Sequence, residues 1–140
     1  MNHSKPLHPR MDDAALSAIS NLGLAHMGDA VYEMLVRTWL CTHGRVTSKG
    51  LHRETVGYVA APAQAKAVEK ILPLLTEEEA AVYKRGRNAK AVTRAKNATM
   101  SEYRRATGFE ALMGYLYLKG DIARMLELIH LGVEKAEVTL

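Results

Sequence analysis

Two stretches of this sequence are apolar almost all the way round a helix, and each carries one acid near its middle. Between Leu22 and Cys41, Leu24, Met27, Val31 and Leu35 recur at helical spacing, while Leu22, Ala25, Val36 and Leu40 fill the opposite side. Between Glu102 and Lys119, Ala106, Phe109, Leu112, Met113, Leu116 and Tyr117 leave little polar surface. A helix that is apolar on every side belongs at the centre of a fold. The two acids are Asp29 and Glu110. An ionised carboxylate in such surroundings is costly unless it is paired, hydrogen-bonded or bound to a cation. The chain must therefore wrap other helices around these two and give each acid a partner.

The remaining segments supply those helices. A short turn is expected over Asp13–Ile19. Asn21 can cap the first central helix and Gly44 end it. Thr47 and Ser48 open a helix reaching about Val56. Pro62 suits the first turn of the next, which must stop before Pro73. Thr76 with Glu79, and Thr99 with Glu102, have capping-box spacing, opening a helix to about Arg87 and the second central helix. Gly120 closes that helix, and Asp121 caps a last one through about Ala136. Strand signals are scarce, and no repeat or linker interrupts the pattern. The reading is an all-α fold of about seven helices forming one domain over residues 1–140, with 1–11 a frayed tail.

Charge is unevenly spread. Lys84, Arg85, Arg87, Lys90, Arg94, Lys96, Arg104 and Arg105 face only Glu102 within their segment, a local balance of +7. The whole chain carries +4, so the rest sums to −3. A basic block on a slightly acidic body is the footprint of a polyanion-binding face, although a solvated charged loop has the same composition. Charged residues interrupt every apolar run, which excludes a membrane span. The opening ten residues lack the apolar core of a secretory signal. One cysteine, Cys41, excludes an internal disulfide, and a reduced cytoplasmic setting is expected.

On helical spacing, Asp29 shares a face with Ala25, His26, Tyr32 and Glu33, and Glu110 with Tyr103, Ala106, Met113 and Gly114. Gly28 and Gly108 would let another backbone come close. From composition alone a structural salt bridge, to Arg37 or to a residue of the basic block, is the favoured account, since buried acids are more often structural than catalytic. The six histidines are scattered, and Cys41-Thr42-His43 lacks zinc-site spacing. His26 reads as a packing or interface residue.

LAHMGDAVYEMLVR, with Gly28-Asp29-Ala30-Val31 at its centre, resembles the signature helix of ribonuclease III, and TGFEALMGYLYL resembles that family's second acidic motif. KRGRNAK, Lys84 to Lys90, is similar to the basic element of the Mini-ribonuclease III branch. With LHRETV and SEYRRAT, the likeness runs from about Leu22 to Leu118. It departs at two places: larger ribonuclease III enzymes carry further acids at the positions of Ala25 and Thr107, a reduction the Mini branch shares. The length also leaves no room for a separate double-stranded-RNA-binding domain.

The resemblance implies the ribonuclease III endonuclease-domain helical fold as a symmetric homodimer, with the signature helices packed together and two sites facing one groove. It implies an endoribonuclease cutting double-stranded RNA to leave 5′-phosphate and 3′-hydroxyl ends. Asp29 and Glu110 would be both catalytic and Mg2+-binding. Lys84, Arg85, Arg87, Asn88, Lys90, Arg94 and Lys96, with His52 and Arg53 on the helix opened by Thr47 and Ser48, would bind RNA. Its substrate would be a stem of the large-subunit (23S) ribosomal RNA precursor, and ribosomal proteins are conceivable partners. The alternative is a catalytically silent scaffold of the same fold that binds RNA during ribosome assembly.

Overall fold

Seven α-helices and one 3-10 turn run through the described residues, 7–44, 47–89 and 98–133, of the computed structural model, with no strand among them. They are α1 (Asp13–Ser17), α2 (Asn21–Thr42), α3 (Ser48–Val59), α4 (Ala61–Ile71), the 3-10 turn Leu72–Leu74, α5 (Glu77–Asn88), α6 (Met100–Lys119) and α7 (Ile122–Gly132). Both capping boxes form: Thr76 with Glu79 opens α5, and Thr99 with Glu102 opens α6. Each satisfies two otherwise unpaired amides of the first turn. Gly120, at φ +90°, ends α6 in the left-handed conformation, and the Asp121 amide returns to the Leu116 carbonyl at 2.9 Å.

Several boundaries differ from the sequence reading, and α1 ends at Ser17 instead of Ile19. Ser20, not Asn21, caps α2: its hydroxyl accepts from the Gly23 amide at 3.0 Å, and Asn21 becomes the first helical residue. Both residue types cap well, so propensity alone did not separate them. Helix α3 continues to Val59, three residues further than expected, because nothing in Gly57-Tyr58-Val59 stops it before the chain turns at Ala60. Helix α7 ends at Gly132, not Ala136, where Val133 takes an extended conformation. Of the segment expected as a tail, Met11 donates its amide to the Leu118 carbonyl at 2.9 Å and so lies along the end of α6.

Helix α6 is the axis of the fold, packed by α2, α5 and α4. From Ala106 to Leu116 every residue is buried except Glu110. Its crossings rest on missing side chains. A Cβ on Gly28 of α2 would lie 2.7 Å from the Gly114 amide nitrogen and inside the Glu110 carbonyl, and one on Gly114 would lie 2.9 Å from the Gly28 nitrogen. The α2 and α6 backbones therefore touch through a glycine pair. Gly108 serves the neighbouring contact, with the Tyr83 ring and carbonyl of α5 in the space of its absent Cβ.

Helix α2 is covered on one side only. Leu24, Ala25, Val31, Val36 and Leu40 are buried, whereas Leu22, His26, Asp29, Ala30, Met34, Arg37, Thr38 and Cys41 are exposed. The all-round apolar character read from the sequence thus corresponds to one buried face and one uncovered one. On the far side of α6, Glu79 of α5 accepts two hydrogen bonds at 2.9 Å from Arg124 of α7, which also donates to the Leu74 carbonyl at 3.0 Å. This fork ties three elements together, and the charge-assisted bonds to Arg124 hold the Glu79 carboxyl below the usual carboxylate range.

Candidate active site

The glycine crossing of α2 and α6 places the residue after Gly28 beside the residue whose carbonyl fills that gap. Asp29 and Glu110 accordingly meet, and their carboxyl groups share a hydrogen bond. Glu110 is half-buried and Asp29 exposed, so the pair has a floor in the core and a mouth on the uncovered face of α2. Burial pushes the Glu110 carboxyl up to about 8, with the Asp29 charge and their shared hydrogen bond adding to the rise. Two carboxyls at such range resist ionising together unless positive charge arrives.

No arginine or lysine among the described residues neutralises either acid. Arg37, the expected structural partner, pairs with Glu33 one turn away at 2.6 Å. Arg105 is held by Glu69. The salt-bridge alternative is thereby removed for Arg37 and Arg105. Thr107 is buried and its hydroxyl donates back to the Tyr103 carbonyl at 2.9 Å, while Ala25 is buried without a polar group. Neither adds a charge to the site. Among the described residues no cluster of three or more His, Cys, Asp or Glu forms, so a cation here would meet two protein carboxylates.

One polar side chain joined the pair without being foreseen. Gln64 of α4 is buried; its Nε2 donates to Glu110 Oε2 at 3.3 Å and to the Val59 carbonyl at 2.9 Å. Its contact to Glu110 opposes the upward shift. A signal was present in the sequence: Gln64, Ala67, Val68 and Ile71 form one stripe at helical spacing, in which the glutamine is the sole polar member.

The basic residues among the described ones do not all line one cleft. Arg87 and Asn88 line a cleft of about 650 Å3 with Tyr83, Arg104 and Arg105, and the Arg87 guanidinium lies 5.7 Å from the Tyr83 ring centre. Arg85 lines a different cleft, with Asp13, Asn21 and Tyr115. Two residues apart on a helix point about 200° apart, which separates the two arginines. Lys84 is exposed on α5, and His52 and Arg53 are exposed on α3. Lys90, Arg94 and Lys96 lie outside the described residues.

The ribonuclease III domain model matches residues 22–121. A Mini-ribonuclease 3 of Enterococcus faecalis is 47% identical over 123 residues, spanning 86% of this chain and 93% of the relative. That of a Thermoanaerobacter species is 46% identical over 120 residues, 86% of this chain and 84% of the relative. The crystal structure of a Fusobacterium nucleatum protein superimposes with a TM-score of 0.75 at 30% identity, covering 80% of this chain and 86% of the other.

Proposed function

Because this chain belongs to the ribonuclease III family, in its Mini-ribonuclease 3 branch, it is an endoribonuclease, and we propose that it cuts double-stranded RNA with Asp29 and Glu110 as the acids that hold Mg2+. The supporting observation is that pair: carboxyls from two helices touch across a glycine crossing, without a neutralising cation among the described residues, where one of them opens to solvent.

The donor set fits the ion. Mg2+ prefers oxygen ligands and keeps several waters, so two carboxylates suffice as protein ligands. Glu110 is a poor lone carboxylate but a good ligand, since added positive charge relieves both its burial and its repulsion by Asp29. The unpartnered Oε1 of Gln64 is a further acceptor in the same surroundings, which a hydrating water can satisfy. When bound, Mg2+ lowers the pKa of a water and neutralises charge on the phosphate. The protein's part is to fix two oxygens of opposite helices on a rigid crossing and to admit the backbone from the open side.

Substrate grip follows from charge and shape. Duplex RNA is recognised through its backbone and 2′-hydroxyls rather than base edges. Arg87, Asn88 and Arg104, around one cleft, offer donors for phosphate oxygens, and Lys84, Lys90, Arg94, Lys96, His52 and Arg53 extend the binding surface in this reading. The uncovered face of α2, with Leu22 40% and Met34 45% exposed, suits a two-fold homodimer in which the α2 helices meet along these apolar residues while each Asp29 stays open to a groove between the protomers, so that the two sites act on the two strands. Such cuts leave 5′-phosphate and 3′-hydroxyl ends with a short 3′ overhang, and the proposed biological substrate is a stem of the 23S ribosomal RNA precursor.

The test is Asp29→Asn on the full chain with a long RNA duplex. The reading requires Mg2+-dependent cleavage by the wild type and retained duplex binding with lost cleavage in the variant. Cleavage by the variant at the wild-type rate refutes it.

A further inference from the structure

Gln64 is 1% exposed, yet a glutamine carries two N–H donors and two acceptor positions that burial strips of water. It heads a stripe of α4 whose other members are apolar. A methionine would fill the same volume at no polar cost, so packing alone gives no reason for an amide there. Its orientation is fixed by chemistry: the Val59 carbonyl, 2.9 Å from Nε2, can only accept, so the nitrogen must face it. The remaining N–H of that nitrogen is then left for Glu110 Oε2. Apart from the carboxyl of Asp29, Gln64 is the side chain among the described residues that hydrogen-bonds Glu110; Ala25 has no donor and the Thr107 hydroxyl donates its proton to the Tyr103 carbonyl.

We propose that Gln64 is a positioning residue of the active site: anchored on the end of α3 through the Val59 carbonyl, it holds one oxygen of Glu110 and so fixes the rotation of that carboxylate for the divalent ion. This rests on the reading that Asp29 and Glu110 hold the ion. The contact brings α3, α4 and α6 to one point. It also explains the polar residue in the stripe: the amide spans two acceptors on different elements, which neither a hydrocarbon nor a shorter side chain can do. A second-layer group of this kind sets ligand orientation, and its loss typically costs about 10–100-fold in metal affinity or activity.

The experiment uses the full chain without RNA first. Mn2+ binding is followed by the loss of its free paramagnetic resonance signal, for wild type, Gln64→Met and Glu110→Gln, each checked for folding by circular dichroism. The half-saturating Mg2+ for cleavage of a duplex is then compared with the duplex dissociation constant measured in EDTA. Gln64→Met is expected to raise half-saturation for Mn2+ and for Mg2+ by about 10–100-fold, leaving duplex affinity unchanged. Wild-type half-saturation in Gln64→Met, with Mn2+ binding lost in Glu110→Gln, overturns the role of Gln64 and leaves the acid pair standing. Wild-type Mn2+ binding by Glu110→Gln overturns the acid-pair reading itself, and the inference with it. If Gln64→Met does not fold, Gln64→Asn carries the same test, because its shorter stem cannot reach Val59 and Glu110 together.

Discussion

Glu110→Gln is expected to make the cation-free protein more stable while abolishing cleavage. Its carboxyl lies at about 8 in the folded chain against an ordinary value of 4.5. The folded state therefore binds more protons than the unfolded state between those values, and stability falls as pH rises through that window. At pH 7, which lies ~2.5 pH units above the ordinary value and still below the folded one, ~1.4 kcal/mol per unit sets a ceiling of about 3.5 kcal/mol. A buried amide retains part of the desolvation cost, so a gain of roughly 1–3 kcal/mol is expected on replacing the acid. For a chain of this size that corresponds to roughly 3–9 °C in melting temperature. The assay is thermal unfolding by circular dichroism in EDTA from pH 4 to pH 9. The two curves should converge below about pH 4.5 and separate steadily toward about pH 8. Adding Mg2+ should then raise the wild type, since a ligand of the folded state stabilises by mass action, and leave the variant unmoved. Parallel pH profiles for the two proteins would refute the account of Glu110 as an acid held at unfavourable charge for a cation.

Three further outcomes follow from the packing and the surface. Gly28→Ala forces a methyl into the Glu110 carbonyl, and overpacking of this kind costs about 1–3 kcal/mol; urea midpoints should fall, and cleavage should fall further than stability because the acids are carried by the backbones that must separate. Arg124→Met removes the fork on buried Glu79, with an expected loss of about 2–4 kcal/mol in denaturant unfolding at pH 7. Because the Glu79 carboxyl is held low, its contribution is present above the ordinary carboxylate range and disappears as pH falls through its folded value, so wild type and variant should converge in acid. Arg87→Ala should weaken duplex binding and reduce the slope of log affinity against log salt by about 1, whereas an unchanged slope would take the Tyr83–Arg104 cleft out of the RNA path.

Much of the helical framework was legible because its signals are local. Capping boxes at Thr76 and Thr99, the glycine after Lys119 and the prolines at 62 and 73 act within a turn of where they stand, so spacing alone predicted α5, α6 and the break after α4. The apolar period likewise marked α2 and α6 as central, and a lone acid in each as a group in need of a partner. What spacing could not give was which partner. Arg37 was as plausible for Asp29 as any cation, and only the packing shows it turned to Glu33. Arg85 and Arg87 read as one basic element until helix geometry put them in separate clefts.

The sequence by itself determined the helices, their order and the two acids, because caps and periodicity are properties of neighbouring residues. The tertiary structure decided that Asp29 and Glu110 touch, that Gly28 and Gly114 make the crossing close enough for it, and that Gln64 reaches in from a third helix. Those contacts join residues dozens of positions apart, and their existence depends on how closely two backbones can approach, a distance that no one-dimensional pattern encodes.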